Sequence, residues 1–129
     1  MEISDTLDPA RAVAFHATLG LSEPKPRAND ALPAFWHYIY FWDALPQEQL
    51  GQDGHPKTGG FIPDLGLPRR MWAGGDLQFH APLRIGVPAT KTSKVLDVSK
   101  KTGSTGPLAI VTVDHQFSQN GELCLSEKQ

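Results

Sequence analysis

Apolar residues recur at helical spacing near the start of the chain, at Ala10, Val13, Ala14, Ala17 and Leu21. Asp8 stands where an N-cap belongs, and Pro9 fits the first helical position, where a missing N–H breaks no hydrogen bond. Gly20 supplies the stop. The spacing predicts a helix over 9–19, and Glu23-Pro24-Lys25-Pro26-Arg27 then reads as a surface loop. The far half of the chain changes period. Leu77 and Phe79 alternate with Asp76, Gln78 and His80 in a strand over 72–81, and Val95, Leu96 and Val98 mark a long strand over 87–101. Leu108 to Val113 is a strand extended by His115 and Phe117. The loops over 102–106 and 118–122 are hairpin connections, the second with Asn120-Gly121 as its turn signal. Leu123-Cys124-Leu125 opens a last strand, alternating with Glu122, Ser126 and Lys128. Helical material followed by an antiparallel meander implies an α+β fold, with a helix covering one face of the sheet.

Two stretches resist this reading. Ala34 to Trp42 is almost wholly aromatic, which favours a strand, yet Pro33 before it and the pairs Trp36/Tyr40 and His37/Phe41 favour a short helix. The helix is the expectation taken here. From Pro46 to Pro68 the chain holds five glycines and four prolines without period. A long structureless stretch in a compact domain is usually functional or covers an interface.

Composition narrows the classes. A chain of 129 residues suits one domain, 1–129. No run approaches the roughly 18 apolar residues that span a bilayer, and the first residues lack a secretory pattern. The formal charge of −2, with only small basic clusters at Arg69-Arg70 and Lys91 to Lys101, argues against nucleic acid as a partner. The lysines read as solvated strand faces. Cys124 stands alone, so it forms no internal disulfide and reads as a buried, inert thiol in a cytoplasmic protein. The five histidines show no metal-ligand spacing, and His80 and His115 read as solvent-facing.

A resemblance enters at Arg69-Arg70-Met71-Trp72-Ala73-Gly74-Gly75, followed by Leu77-x-Phe79-x-x-Pro82-Leu83-x-x-Gly86. Pro33-x-x-Trp36-His37-x-x-Tyr40-Phe41, Asp53-Gly54-His55-Pro56 and Gly59-Gly60-Phe61-x-Pro63 extend it over about residues 8–129. The chain resembles the MaoC-like hydratase/dehydratase superfamily. Within it, the likeness is to the amino-terminal hot-dog domain of mesaconyl-CoA (3-methylfumaryl-CoA) hydratases and related 3-hydroxyacyl-thioester dehydratases. The resemblance implies a hot-dog fold, in which an antiparallel sheet wraps around a helix. It also implies reversible hydration of an enoyl-CoA, the thioester being substrate and no further cofactor being needed. Full-length members resemble two hot-dogs in tandem.

Hydration of an enoyl thioester needs a base for water, an acid for the α-carbon and donors for the thioester oxygen. The superfamily's Asp-x-Asn-Pro-x-His pattern is absent: no histidine stands five residues after Asp30, and His16 has no matching acid beyond the cap. No catalytic residue is therefore assigned. The resemblance places that motif in a carboxy-terminal hot-dog, so a catalytic hot-dog domain or subunit is the expected partner, in a homo- or hetero-dimer. A strand cut off at Gln129 leaves a sheet edge for such pairing.

The expected substrate contacts are Arg69, Arg70, Trp72, Trp36, His37 and His55. Arginine forks suit CoA phosphates and Trp72 suits adenine stacking, although a salt-bridged strand edge explains the pair as well. Trp36 with Tyr40 and Phe41 would line an acyl tunnel or form an ordinary aromatic core. His37 would face the cleft or be a hydrogen-bonded core histidine. Asp53 and His55 would be an acid/base pair or a capped turn. Two other functions stay open: a hot-dog thioesterase using Asp30 or Asp43, and a non-enzymatic acyl-CoA-binding or structural domain.

Overall fold

A computed structural model describes residues 1–42, 74–103 and 106–129. The chain runs β1 (Glu2–Asp5), α1 (Pro9–Leu19), a 3-10 turn (Trp36–Ile39), β2 (Asp76–Phe79), β3 (Ala89–Gly103), β4 (Gly106–Gln119) and β5 (Glu122–Lys128). The strands form one antiparallel sheet in the order β1-β3-β4-β5-β2. This is an α+β hot-dog, with α1 and the aromatic segment between the two edge strands in sequence. Leu7, Ala12, Tyr40, Phe41, Phe117 and Leu125 share one buried cluster, so the α1 side and the inner sheet face meet in a single core.

Helix α1 has the predicted bounds because its signals are local. Asp8 accepts from the Ala10 N–H at 2.9 Å, and Pro9 follows it. At the far end Gly20 adopts φ 64°, and the N–H groups of Gly20 and Leu21 return to the carbonyls of Ala17 and His16. The second hairpin is tighter than expected: β4 reaches Gln119, β5 starts at Glu122, and Asn120 and Gly121 alone turn the chain with φ of 50° and 77°. Two consecutive left-handed residues match the strand twist. In the first hairpin β3 reaches Gly103 and β4 starts at Gly106, so both strands extend into the loop expected over 102–106.

Several expectations need correction, and one strand was not anticipated. β1 carries no periodic apolar signal, and it forms by pairing with β3, Ile3 opposite Lys91. The aromatic run does form the expected short helix, but only as one 3-10 turn over Trp36–Ile39. Phe35 and Phe41 bracket it with φ of 71° and 62°, which breaks the helical path on both sides. Among the described residues, the strand expected over 72–81 covers Asp76–Phe79, and both the His80 and Ala81 N–H groups turn to the Cys124 carbonyl. His115, expected in solvent, is buried. It shares the inward phase of Val113 and Phe117, which the unbroken apolar run before it obscures.

Two bulges set the sheet's phase. Leu96 is the extra residue on β3. On β5, Phe117 faces Leu125 while Ser118 faces Leu123, so Cys124 is extra. Cys124 and Leu125 are consequently both buried. Replacing Gly121 with Ala should force a side chain into the left-handed turn and cost about 1 kcal/mol. Thermal denaturation would show this as a midpoint lowered by about 4 °C, and an unchanged midpoint would contradict the turn geometry.

Candidate functional site

Glu127 is the unusual residue of the inner face. After the Cys124 bulge, odd positions of β5 point inward, and Glu127 lies between Leu77 of β2 and His115 of β4. It is 1% exposed. A carboxylate so placed must be saturated with donors, and three reach it. His37 Nε2 donates to Oε1 at 3.1 Å, Gln129 Nε2 donates to Oε2 at 2.9 Å, and the Tyr38 hydroxyl donates to the same Oε2. Burial alone would raise this carboxyl. The donors and the His37 charge outweigh burial and bring it down to about 2. The Tyr38 hydroxyl moves upward, through burial and then through the anion it faces.

The network continues. Gln129 Oε1 meets His115 Nε2 at 3.2 Å, and His115 Nδ1 meets Ser93 Oγ at 2.7 Å. Glu127 decides the protons along this chain. An anion at one end of the Gln129 amide demands its NH₂ there, so the amide oxygen faces His115. His115 Nε2 must then carry the proton, and Nδ1 accepts from the Ser93 hydroxyl. Burial first, then neighbouring Lys91, lowers the affinity of His115 for a second proton. The result is a neutral histidine joined through an amide to an ionised carboxylate. Among the described residues no buried side-chain polar atom lacks a partner.

Such an arrangement is a clasp rather than an acid/base pair. Proton transfer near neutrality needs a group that titrates there. Glu127 stays ionised far below that range, and its lone pairs are engaged. What the clasp does is tie the aromatic segment to the last strand, across 90 residues of sequence.

Of the sequence-predicted contacts, Trp36 and His37 lie among the described residues, and they diverge. Trp36 is half-buried against α1, its ring 4.9 Å from Phe15 and edge-on. His37 takes the buried, hydrogen-bonded role within the sheet side of the core. Tyr40 and Phe41 are core residues: the Tyr40 hydroxyl donates to the Asp8 carbonyl at 2.7 Å, and Phe41 packs edge-on to Phe117. His55, Arg69, Arg70 and Trp72, with Asp43 and Asp53, lie outside the described residues. Asp30 sits in an exposed turn, accepting from the Arg27 N–H, not on a helix facing the core. Cys124 is buried as expected, and burial pushes its thiol up.

None of Glu127, His115, Ser93 and Gln129 was read as a buried site residue, and His115 was placed in solvent. A signal was present for two of them. Glu127 stands in phase with Leu125, and His115 with Val113 and Phe117. A polar residue in the apolar phase of a strand marks a buried group in need of partners.

Two cavities among the described residues are small. One of about 20 Å³ adjoins His37, Phe79 and Leu125, and a cleft of about 240 Å³ lies by Arg84, Gln119 and Cys124. Drug-sized ligands need roughly 300–1,000 Å³, so neither alone encloses an acyl-CoA. No group of three His, Cys, Asp or Glu side chains stands close enough to hold a metal among these residues. None of their helices is long and apolar enough to cross a membrane.

The clasp sets an acid limit on stability. A carboxyl whose folded pKa is depressed stabilises the fold above its unfolded value and loses that contribution as pH falls. For Glu127 the window runs from 4.5 down to about 2. His115, lowered from 6.5, acts in the same direction and begins earlier. Stability should fall by on the order of 3 kcal/mol through the Glu127 window. Glu127→Gln should lower the midpoint at neutral pH and flatten the dependence below pH 4.5. Denaturant melts from pH 7 to 2.5 provide the check, and an equally steep variant would contradict the assignment.

The comparisons with known proteins agree with this fold. Residues 35–129 match the family described as hydroxyacyl-thioester dehydratase type 2. Over 128 residues the chain is 45% identical to the mesaconyl-C(4)-CoA hydratase of Chloroflexus aurantiacus. That alignment takes in 99% of this chain and 46% of the relative, so the chain spans about half of the relative's length. With most of its residues under the family match, and the whole sheet within them apart from β1, the chain belongs to the hydroxyacyl-thioester dehydratase type 2 family.

Proposed function

We propose that this chain is the amino-terminal, non-catalytic hot-dog of an acyl-CoA hydratase/dehydratase. In this reading it shapes one wall of the acyl-CoA tunnel and pairs with a catalytic hot-dog that adds water to an enoyl-CoA such as mesaconyl-CoA. The observation that carries the reading is the saturated Glu127 clasp: the buried carboxylate of the described inner face receives three donors and is held ionised down to about 2. The missing Asp-x-Asn-Pro-x-His pattern supports the same division of labour. The Chloroflexus relative is about twice as long, which leaves room there for a second hot-dog. Small cavities also fit a tunnel completed by a partner.

Arg69, Arg70, Trp72 and His55 keep their proposed roles toward CoA, by charge and stacking. Beyond the thioester substrate no cofactor enters the scheme, and the site of action is the cytoplasm. A thioesterase using Asp30 is the weaker reading, because that carboxylate caps an exposed turn.

Loss of enoyl-thioester absorbance from mesaconyl-C4-CoA tests the proposal. The chain alone should show no turnover. Mixed with the carboxy-terminal half of the Chloroflexus relative, it should restore hydration. Appreciable turnover by the chain alone would overturn the non-catalytic assignment.

A further inference from the structure

Lys91 is the charged group of the inner face that the clasp leaves unused. It lies in the row Ile3–Lys91–Phe117–Leu125, pointing to the buried side of the sheet. Its side chain is half-buried, with Nζ 5.8 Å from the centre of the Phe117 ring. A cation over an aromatic face is weakly held there, and a carboxylate would hold it better. Among the described residues none does so: the one ion pair within 4.0 Å is His37–Glu127.

The neighbours explain why. Glu127, the anion that acts on Lys91, already receives His37, Tyr38 and Gln129. Asp5, on the adjoining edge strand, accepts from the backbone N–H groups of Leu7 and Phe41. His115 is neutral, with both ring nitrogens engaged. Lys91 is thus a half-buried ammonium with spare donors, on a floor of Ile3 and Phe117. Burial pushes its pKa down, and Glu127 only partly opposes this. No described protein group pairs with this ammonium, so its donors are open to an anion from a ligand.

We infer that Lys91 binds the free carboxylate at the acyl end of a dicarboxylic acyl-CoA. This rests on the reading of the chain as an acyl-CoA tunnel wall. A monothioester of a dicarboxylic acid keeps one carboxyl group ionised, and a tunnel of apolar and aromatic residues needs one cation to accept it. A single ammonium beside rings suits one small carboxylate. The phosphates of CoA call for several donors near solvent. Lys91 is therefore a specificity-determining residue, selecting carboxylated over plain acyl chains.

Calorimetric titration of the chain, mixed with the carboxy-terminal half of the Chloroflexus relative, with succinyl-CoA, butyryl-CoA and free CoA separates the outcomes. Lys91→Met should weaken succinyl-CoA binding about tenfold while leaving butyryl-CoA within about twofold, and Lys91→Arg should keep the preference. Removing a half-buried, unpaired cation should leave the fold intact, which circular dichroism checks. An equal loss for all three ligands would place Lys91 on the CoA phosphates and overturn the assignment. Binding of both thioesters with no change in Lys91→Met would overturn it while leaving the tunnel reading standing. Failure of the native chain to bind either thioester even in this mixture would overturn both.

Discussion

Glu127 sits where a hydrophobic residue would ordinarily be, at the junction of β2, β4 and β5. Removing a carboxylate from water costs several kcal/mol, and that cost is met only if its lone pairs are occupied in good geometry. Three elements meet the requirement together. The 3-10 turn brings His37 and Tyr38, the end of the chain brings Gln129, and β4 answers through His115. Two of the donors come from a turn about 90 residues away and the third from the end of the chain, so the charge is stable only when both segments are in place. The aromatic segment, which has little regular structure of its own, is held against the sheet by this requirement as well as by the packing of His37 and Phe41 on Phe117.

How far the sequence predicts the structure depends on whether the cause is local. Helix α1 is readable because Asp8, Pro9 and Gly20 act on their immediate neighbours. Asn120-Gly121 is readable for the same reason, since a two-residue turn needs left-handed residues whatever surrounds it. The aromatic run is not, because its rings serve several partners at once. Trp36 turns to α1, His37 to the sheet, and Tyr40 back to the start of the helix. No single periodicity describes a segment that divides its side chains in this way. The extent of β1 is equally non-local, since its pairing with β3 supplies what its own polarity lacks.

The candidate site was legible in part. His37 stood out through its aromatic surroundings, and the structure gives it the core role. Glu127 and His115 were hidden by the assumption that charged and polar residues on strands face water. Their phase says otherwise, and the bulge at Cys124 obscures it, since even and odd positions exchange faces there. Lys91 was read as one of a solvated row. Lys94 and Lys100 fit that description, whereas Lys91 lies in the inward phase between Ile3 and Phe117.

A bulge makes a strand's register ambiguous, because an extra residue placed one position away would shift every side chain beyond it to the opposite face. Apolar residues alone discriminate poorly against such a slip here: Leu123, Cys124 and Leu125 are consecutive, and each tolerates burial. Glu127 discriminates sharply. In the observed register it gains three donors; in the slipped one it would leave His37 and His115 buried without their partners. A well-packed apolar residue in its place would often give comparable stability, but it would not tell the two registers apart. The ionic clasp thus fixes which face of β5 looks inward. That same face carries the row with Lys91 and Phe117, so the choice of register also determines the charge that the inner surface of this hot-dog presents.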